Sequence, residues 1–132
     1  MTRALGMLLG LALLSPTPVS SGPDKPRLKL RTLQRVAFSP VSVFVVAELV
    51  GGTDGEELYC PGLVWEWGDG TRSAHEADCP PFMAGDEPQR HFTARHVYRE
   101  AGQHRVRLIL RKATRSVVSG SMRIMIRSRF GN

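Results

Sequence analysis

Apolar and polar residues alternate with a period of two along most of this chain, and nowhere do they hold the 3.6-residue period of an amphipathic helix. In Arg27-Leu28-Lys29-Leu30-Arg31 the basic residues fall on one side and the leucines on the other, which predicts a half-buried strand. Pro40 breaks the chain, and the β-branched, apolar run of residues 41–50 predicts a well-buried strand. Residues 63–67 predict another. It ends at Asp69-Gly70, whose tolerance of positive φ favours a hairpin turn. Residues 92–98 predict a strand that Gly102 ends. In residues 104–111, Val106, Leu108 and Leu110 share one face, with Arg105, Arg107 and Arg111 on the other. The last strand, residues 116–128, turns Met122, Ile124 and Ile126 inward and Arg123 and Arg127 outward. Residues 51–55 carry loop chemistry, and the proline-bearing stretch 75–88 reads as an irregular loop. About seven short antiparallel strands separated by turn signals predict an all-β sandwich.

The first 21 residues stand outside this pattern. Arg3 gives a positive start, residues 4–14 are apolar and uncharged, and Ser15-Pro16-Thr17-Pro18-Val19-Ser20-Ser21 is small and rich in breakers. That order is expected of a secretory signal peptide cleaved near Ser21 and Gly22, because the apolar run is too short to span a bilayer. A secreted or periplasmic location follows, with residues 22–132 as a single domain and no transmembrane helix after the leader. In an exported chain the two cysteines, Cys60 and Cys79, are expected to form a disulfide. The loop so closed contributes about 3 kcal/mol in the chain-entropy account.

Charge adds an asymmetry. The net charge is +6, yet nearly all the acids lie between Glu48 and Glu100, and none follows Glu100. In a sandwich, the strands bearing Arg105, Arg107, Arg111, Arg123 and Arg127 would be neighbours, and these residues would form one arginine-rich face. Such a face attracts acidic glycans, lipid headgroups or an acidic protein surface. The plainer reading is a solvated face that keeps the sheet soluble. No aromatic residues interleave with these arginines to stack bases, so nucleic acid is not an expected partner.

Two motifs are more specific. Trp65-Glu66-Trp67-Gly68-Asp69-Gly70, followed by His96-Val97-Tyr98-Arg99-Glu100-Ala101-Gly102, resembles the strand-turn and the later His-x-Tyr-x-x-x-Gly segment of the polycystic kidney disease (PKD) domain family. Glu66 and Trp67 stand where that family often has Asp and Phe, and His104 where it often has Tyr. The resemblance spans roughly residues 28–127 and implies an immunoglobulin-like β-sandwich. It also implies contacts with a protein or carbohydrate partner and no catalysis. In this reading Trp65 fills the core, Gly68 and Gly70 shape the turn, Asp69 satisfies turn amides, and Tyr98 bonds backbone near a strand crossing.

The remaining candidates are weaker. There is no Gly-x-Ser-x-Gly elbow and no His-Glu-x-x-His, and no cofactor motif is present. A hydrolase would instead need a concave pocket holding His75 or His91 beside a carboxylate. Cys60, His75, Asp78 and Cys79 lack the paired spacing of a zinc module, and Asp54, Glu56 and Glu57 lack the alternation of a calcium loop. An accessory-subunit role would place its docking surface at Phe82, Met83 or Phe92.

Overall fold

Where the chain alternates apolar with polar side chains, it pairs into eight strands, numbered in chain order: β1 (Arg27–Thr32), β2 (Val36–Ser39), β3 (Val41–Val50), β4 (Gly62–Glu66), β5 (Arg72–His75), β6 (His91–Tyr98), β7 (Gly102–Lys112) and β8 (Arg115–Ser128). The structure is a computed structural model that describes Thr2, Gly6 and residues 10–16 and 25–130. Residues 10–16 form neither helix nor strand, and the expected cleavage point at Ser21 and Gly22 lies outside the described residues. Among the described residues no helix is long and apolar enough to cross a membrane.

The strands form two sheets, β1-β3-β6 and β2-β8-β7-β4-β5, packed as an immunoglobulin-like sandwich. Two strands depart from expectation. β5 completes the hairpin that the Asp69-Gly70 turn opens, and β2 pairs with β8 in parallel, so the sandwich is not wholly antiparallel. The chain leaves β1 in one sheet, passes through residues 33–35, and enters the other sheet as β2 at its edge beside β8. Val36 to Ser39 is too short to show a period of its own.

The inward rows build one core from Val43, Val45, Ala47 and Leu49 of β3, Val106, Leu108 and Leu110 of β7, and Ile124 and Ile126 of β8, with Trp65 and Trp67 among them. Each such Val, Leu or Ile side chain stabilises the fold by roughly 1.5–3 kcal/mol relative to exposure. β3 is buried on one face rather than throughout. Among the described residues no strand packs on the outer side of the three-stranded sheet, and Phe44 stays 38% exposed, with the Arg95 guanidinium 5.0 Å from its ring centroid. The two sheets approach most closely where β1 passes β8. A Cβ on Gly120 would stand 2.4 Å from the Leu28 carbonyl oxygen, so the crossing requires glycine. A disulfide joins Cys60, just before β4, to Cys79, just after β5, with 6.1 Å between Cα atoms, and so braces the hairpin at its open end.

Candidate functional site

The turn after β4 is built from its own polar groups. Gly68 and Gly70 adopt φ of 83° and 88°, which a side chain would strain. A Cβ on Gly68 would also meet the Arg105 backbone nitrogen and oxygen at 2.6 Å, so the hairpin lies directly against β7. The Trp67 amide donates to the Thr71 carbonyl at 3.1 Å and closes the turn. Asp69 Oδ1 accepts from the Thr71 amide at 3.0 Å and from the Thr71 hydroxyl, while Oδ2 lies 2.7 Å from His96 Nε2. Partial burial pushes the Asp69 carboxyl up, but the Thr71 hydroxyl, His96 and the Thr71 amide outweigh it and hold the pKa down at about 2. The carboxylate can therefore only accept, which makes His96 Nε2–H the donor.

Thr71, His96 and Asp69 are the residue types of a nucleophile, a base and an acid. Their geometry differs from a relay. Thr71 Oγ1, at 3.3 Å, and Asp69 Oδ2 both meet the same ring nitrogen of His96, whereas a relay needs the acid on one nitrogen and the nucleophile on the other. The set locks the turn instead.

Aromatic rings extend this lock into the core. Trp65 stacks on Trp67 at 5.3 Å, Trp67 on His96 at 4.6 Å, and His96 meets Tyr98 edge-on at 4.8 Å. Tyr98, fully buried, donates its hydroxyl to the Trp67 carbonyl at 2.6 Å. Tyr98 is in β6 and Trp67 follows β4, so this bond ties one sheet to the other. Burial, with the Asp69 carboxylate adding to it, holds the hydroxyl protonated well above the ordinary phenol range. His104, where the resemblance has Tyr, also packs against the aromatic set. It is buried, stacks on Tyr98 at 4.7 Å, and sets its ring nitrogens 3.3 Å from the carbonyls of Gly68 and Glu100. Gly102, at φ 149°, is where β7 begins beside this ring.

The outer face of the five-stranded sheet is a different kind of surface. Arg105 and Arg123 lie directly opposite each other on β7 and β8, and Arg107 follows on the same face. Arg127 stands further along β8 beside Phe38 of β2. Arg111 belongs to the face but is half-buried, and it donates to the Thr114 carbonyl at 3.1 Å across the β7–β8 turn. Sequence reasoning missed Arg72. It sits across from Glu66 on β5, and pairing the two arms of the Asp69-Gly70 hairpin would have placed it there. Glu66 is the one carboxylate in these cross-strand rows, 3.5 Å from the Arg107 guanidinium. A cavity of about 440 Å³ opens between Glu66, Arg72, Arg105, Arg107 and the Gly68–Gly70 turn.

A second cleft, of about 400 Å³, is lined by residues of edge strands β5 and β6 and by the segment around the disulfide. It brings His75, His91 and Glu87 together beside the disulfide, so the concave pocket a hydrolase would need is present. Among the described residues no ion pair joins either histidine to a carboxylate, and no group of three or more His, Cys, Asp or Glu side chains is placed to hold a metal ion. The acidic loop is tied internally, with Asp54 accepting from the Glu57 amide and Glu57 paired with Arg115. Of Phe82, Met83 and Phe92, the alternatives for a docking surface, one is not available at the surface. Phe92 is a core residue, Phe82 packs edge-on against Tyr59, and only Met83 is well exposed, at 70%.

No family model matches the chain, and no curated protein matches it. Among solved structures it is similar to the PKD domain of an M14-like peptidase from Thermoplasmatales archaeon SCGC AB-540-F20. That likeness has a TM-score of 0.55 at 12% identity and covers 79% of this chain and 97% of that one. The fold is that of a PKD domain. At this identity the likeness carries the architecture alone. The PKD-type sandwich and its disulfide together fit an extracellular domain.

Proposed function

We propose that this protein is an exported, non-catalytic interaction module that presents the outer face of its five-stranded sheet to a protein or carbohydrate partner. One observation carries the reading: Arg105 and Arg123 face each other across β7 and β8, with Arg72, Arg107 and Arg127 on the same side and Glu66 as their one carboxylate neighbour. Like charges directly opposite on a sheet are destabilising. A merely solvated face has no need of that pairing, whereas a face that meets an anionic surface gains from it. The absence of catalysis is supported by the motif residues, since Asp69 and His96 are committed to the turn. Export is supported by the leader-like first 21 residues and the disulfide.

The test is site-specific photo-crosslinking in the native setting, with a benzophenone side chain placed at Gln103 or Ser121 on this face, or at Lys29 on the opposite sheet. Adducts to a protein or glycan from the first two positions, and none from Lys29, are expected. Equal adducts from all three, or none from any, would refute the reading.

A further inference from the structure

The arginines of the five-stranded sheet do more than add charge, because the strand registers set them in a line. Arg72 and Arg107 occupy one cross-strand row, on either side of Glu66. Arg105 and Arg123 make the next row, and Arg127 lies two rows further along β8. With strands ~4.8 Å apart and alternate residues ~6.7 Å apart along a strand, the line crosses the sheet diagonally over roughly 25 Å. Its widest point is the cavity lined by Arg72, Arg105, Arg107 and the Gly68–Gly70 turn. Among the described residues, neither Arg72, Arg105, Arg123 nor Arg127 pairs with a carboxylate. Between and beside them lie exposed Gln103, Ser119 and Ser121, which are neutral hydrogen-bonding groups, with half-buried Met125 between Arg123 and Arg127 and half-buried Ile109 opposite Ser119.

We propose that this line binds a linear acidic polysaccharide, with its carboxylate or sulfate groups on the guanidinia and its hydroxyls on Gln103, Ser119 and Ser121. The inference rests on the reading that this face is the interaction surface, and it names the partner. A guanidinium presents a planar fork of N–H donors that matches carboxylate or sulfate two bonds at a time. A diagonal line of arginines that crosses four strands suits a chain better than a compact body. Amide and hydroxyl groups interspersed with the charges suit a ligand that alternates anions with hydroxyls. Nucleic acid is served less well, because within the strand rows of the line the ring present is Phe38 at its far end, and successive bases would have no stacking platform along it. An anionic bilayer would want exposed apolar side chains along the whole front, whereas Met125 and Ile109 are half-buried and the well-exposed Val36 and Phe38 occupy one edge only.

The experiment titrates the full chain with heparin and with polygalacturonate, and in parallel with single-stranded DNA and with vesicles of anionic phospholipid. Binding to at least one polysaccharide is expected, weakening as salt rises. The double variant Arg105→Glu/Arg123→Glu should weaken it at least about 100-fold, and Arg105→Gln/Arg123→Gln at least about 10-fold, because each removes two guanidinium donors from the line. The control Arg27→Glu/Lys29→Glu makes the same change in net charge on the exposed side of the opposite sheet. It should cost less than about threefold, because distant charges are screened. Urea midpoints establish that each variant is folded. Equal losses in the two charge-reversed proteins would overturn the proposal, as would tighter binding to DNA or vesicles. Failure of both polysaccharides while photo-adducts still map to Gln103 and Ser121 would overturn this inference and leave the interaction face standing.

Discussion

Replacing Tyr98 by phenylalanine isolates one bond between the two sheets. Phenylalanine retains the ring that meets His96 at 4.8 Å and His104 at 4.7 Å, so the change removes the hydroxyl and little else. The bond removed is the 2.6 Å hydrogen bond to the Trp67 carbonyl. A typical hydrogen bond contributes about 1 kcal/mol net, but the loss here is larger, because Tyr98 has no solvent exposure and water cannot take the hydroxyl's place. The Trp67 carbonyl is left buried without that donor, at a cost of about 1–3 kcal/mol. The expected destabilisation is therefore about 2 kcal/mol. In a domain of this size that lowers the melting temperature by about 8 °C. Urea unfolding followed by the fluorescence of Trp65 and Trp67, both in the core, measures it directly. The midpoint should fall while the denaturant slope stays unchanged. A loss below about 0.5 kcal/mol would mean that the carbonyl finds another partner and that the sheets are not tied through this hydroxyl.

Three further outcomes are expected. Reducing the Cys60–Cys79 bridge, or replacing both cysteines by serine, should cost about 3 kcal/mol in unfolding free energy yet leave a folded protein, since the core lies elsewhere; complete unfolding in mild reductant would contradict this. Asp69 is held at about 2 against an ordinary 3.8, so its contribution is present above pH 4 and is lost as the pH falls from about 4 towards 2; Asp69→Asn should be less stable than the parent at pH 7 and should flatten that stretch of the stability–pH curve, whereas parallel curves would count against the assignment. Arg105→Glu, which replaces a like-charge pair with an opposite-charge pair across β7 and β8, should raise stability by about 0.5 kcal/mol, and a destabilised variant would show that the two guanidinia are not in repulsion.

Much of the fold is legible in the sequence because burial imposes a period of two wherever a strand covers a core. The inward rows Val106, Leu108, Leu110 and Ile124, Ile126 are of this kind. β2 is illegible for the opposite reason: it has four residues, and the half-exposed Val36 and Phe38 are as apolar as the buried Ala37 between them, so its sequence shows no contrast between faces. β5 is exposed at every position, and only its pairing with β4 reveals it. Gly120 gives no local sign of its role, because the atom it accommodates, the Leu28 carbonyl oxygen, comes from a strand at the other end of the chain. The arginine face follows partly from alternation within β7 and β8. The opposition of Arg105 and Arg123, and the arrival of Arg72, depend on register across strands, which spacing along one strand does not determine.

The motif and the arginine line are mechanically one object. Asp69 holds Thr71 by its amide and hydroxyl, and Thr71 immediately precedes Arg72, so the carboxylate that fixes the turn also fixes where β5 delivers its arginine. On the other side of the turn, Gly68 lies against the backbone of Arg105, near enough that any side chain would push β7 away. Arg72 and Arg105, which both line the 440 Å³ cavity, are thus both positioned by the Gly68–Thr71 turn. The turn in turn is held from below by His96 and by the Trp67 carbonyl that Tyr98 grips. Rigid support of this kind reduces the ordering cost of binding for side chains as flexible as arginine. Residues that read as purely structural therefore act on the candidate site through position. Their substitution should loosen the arginine line in proportion to how far it loosens the turn.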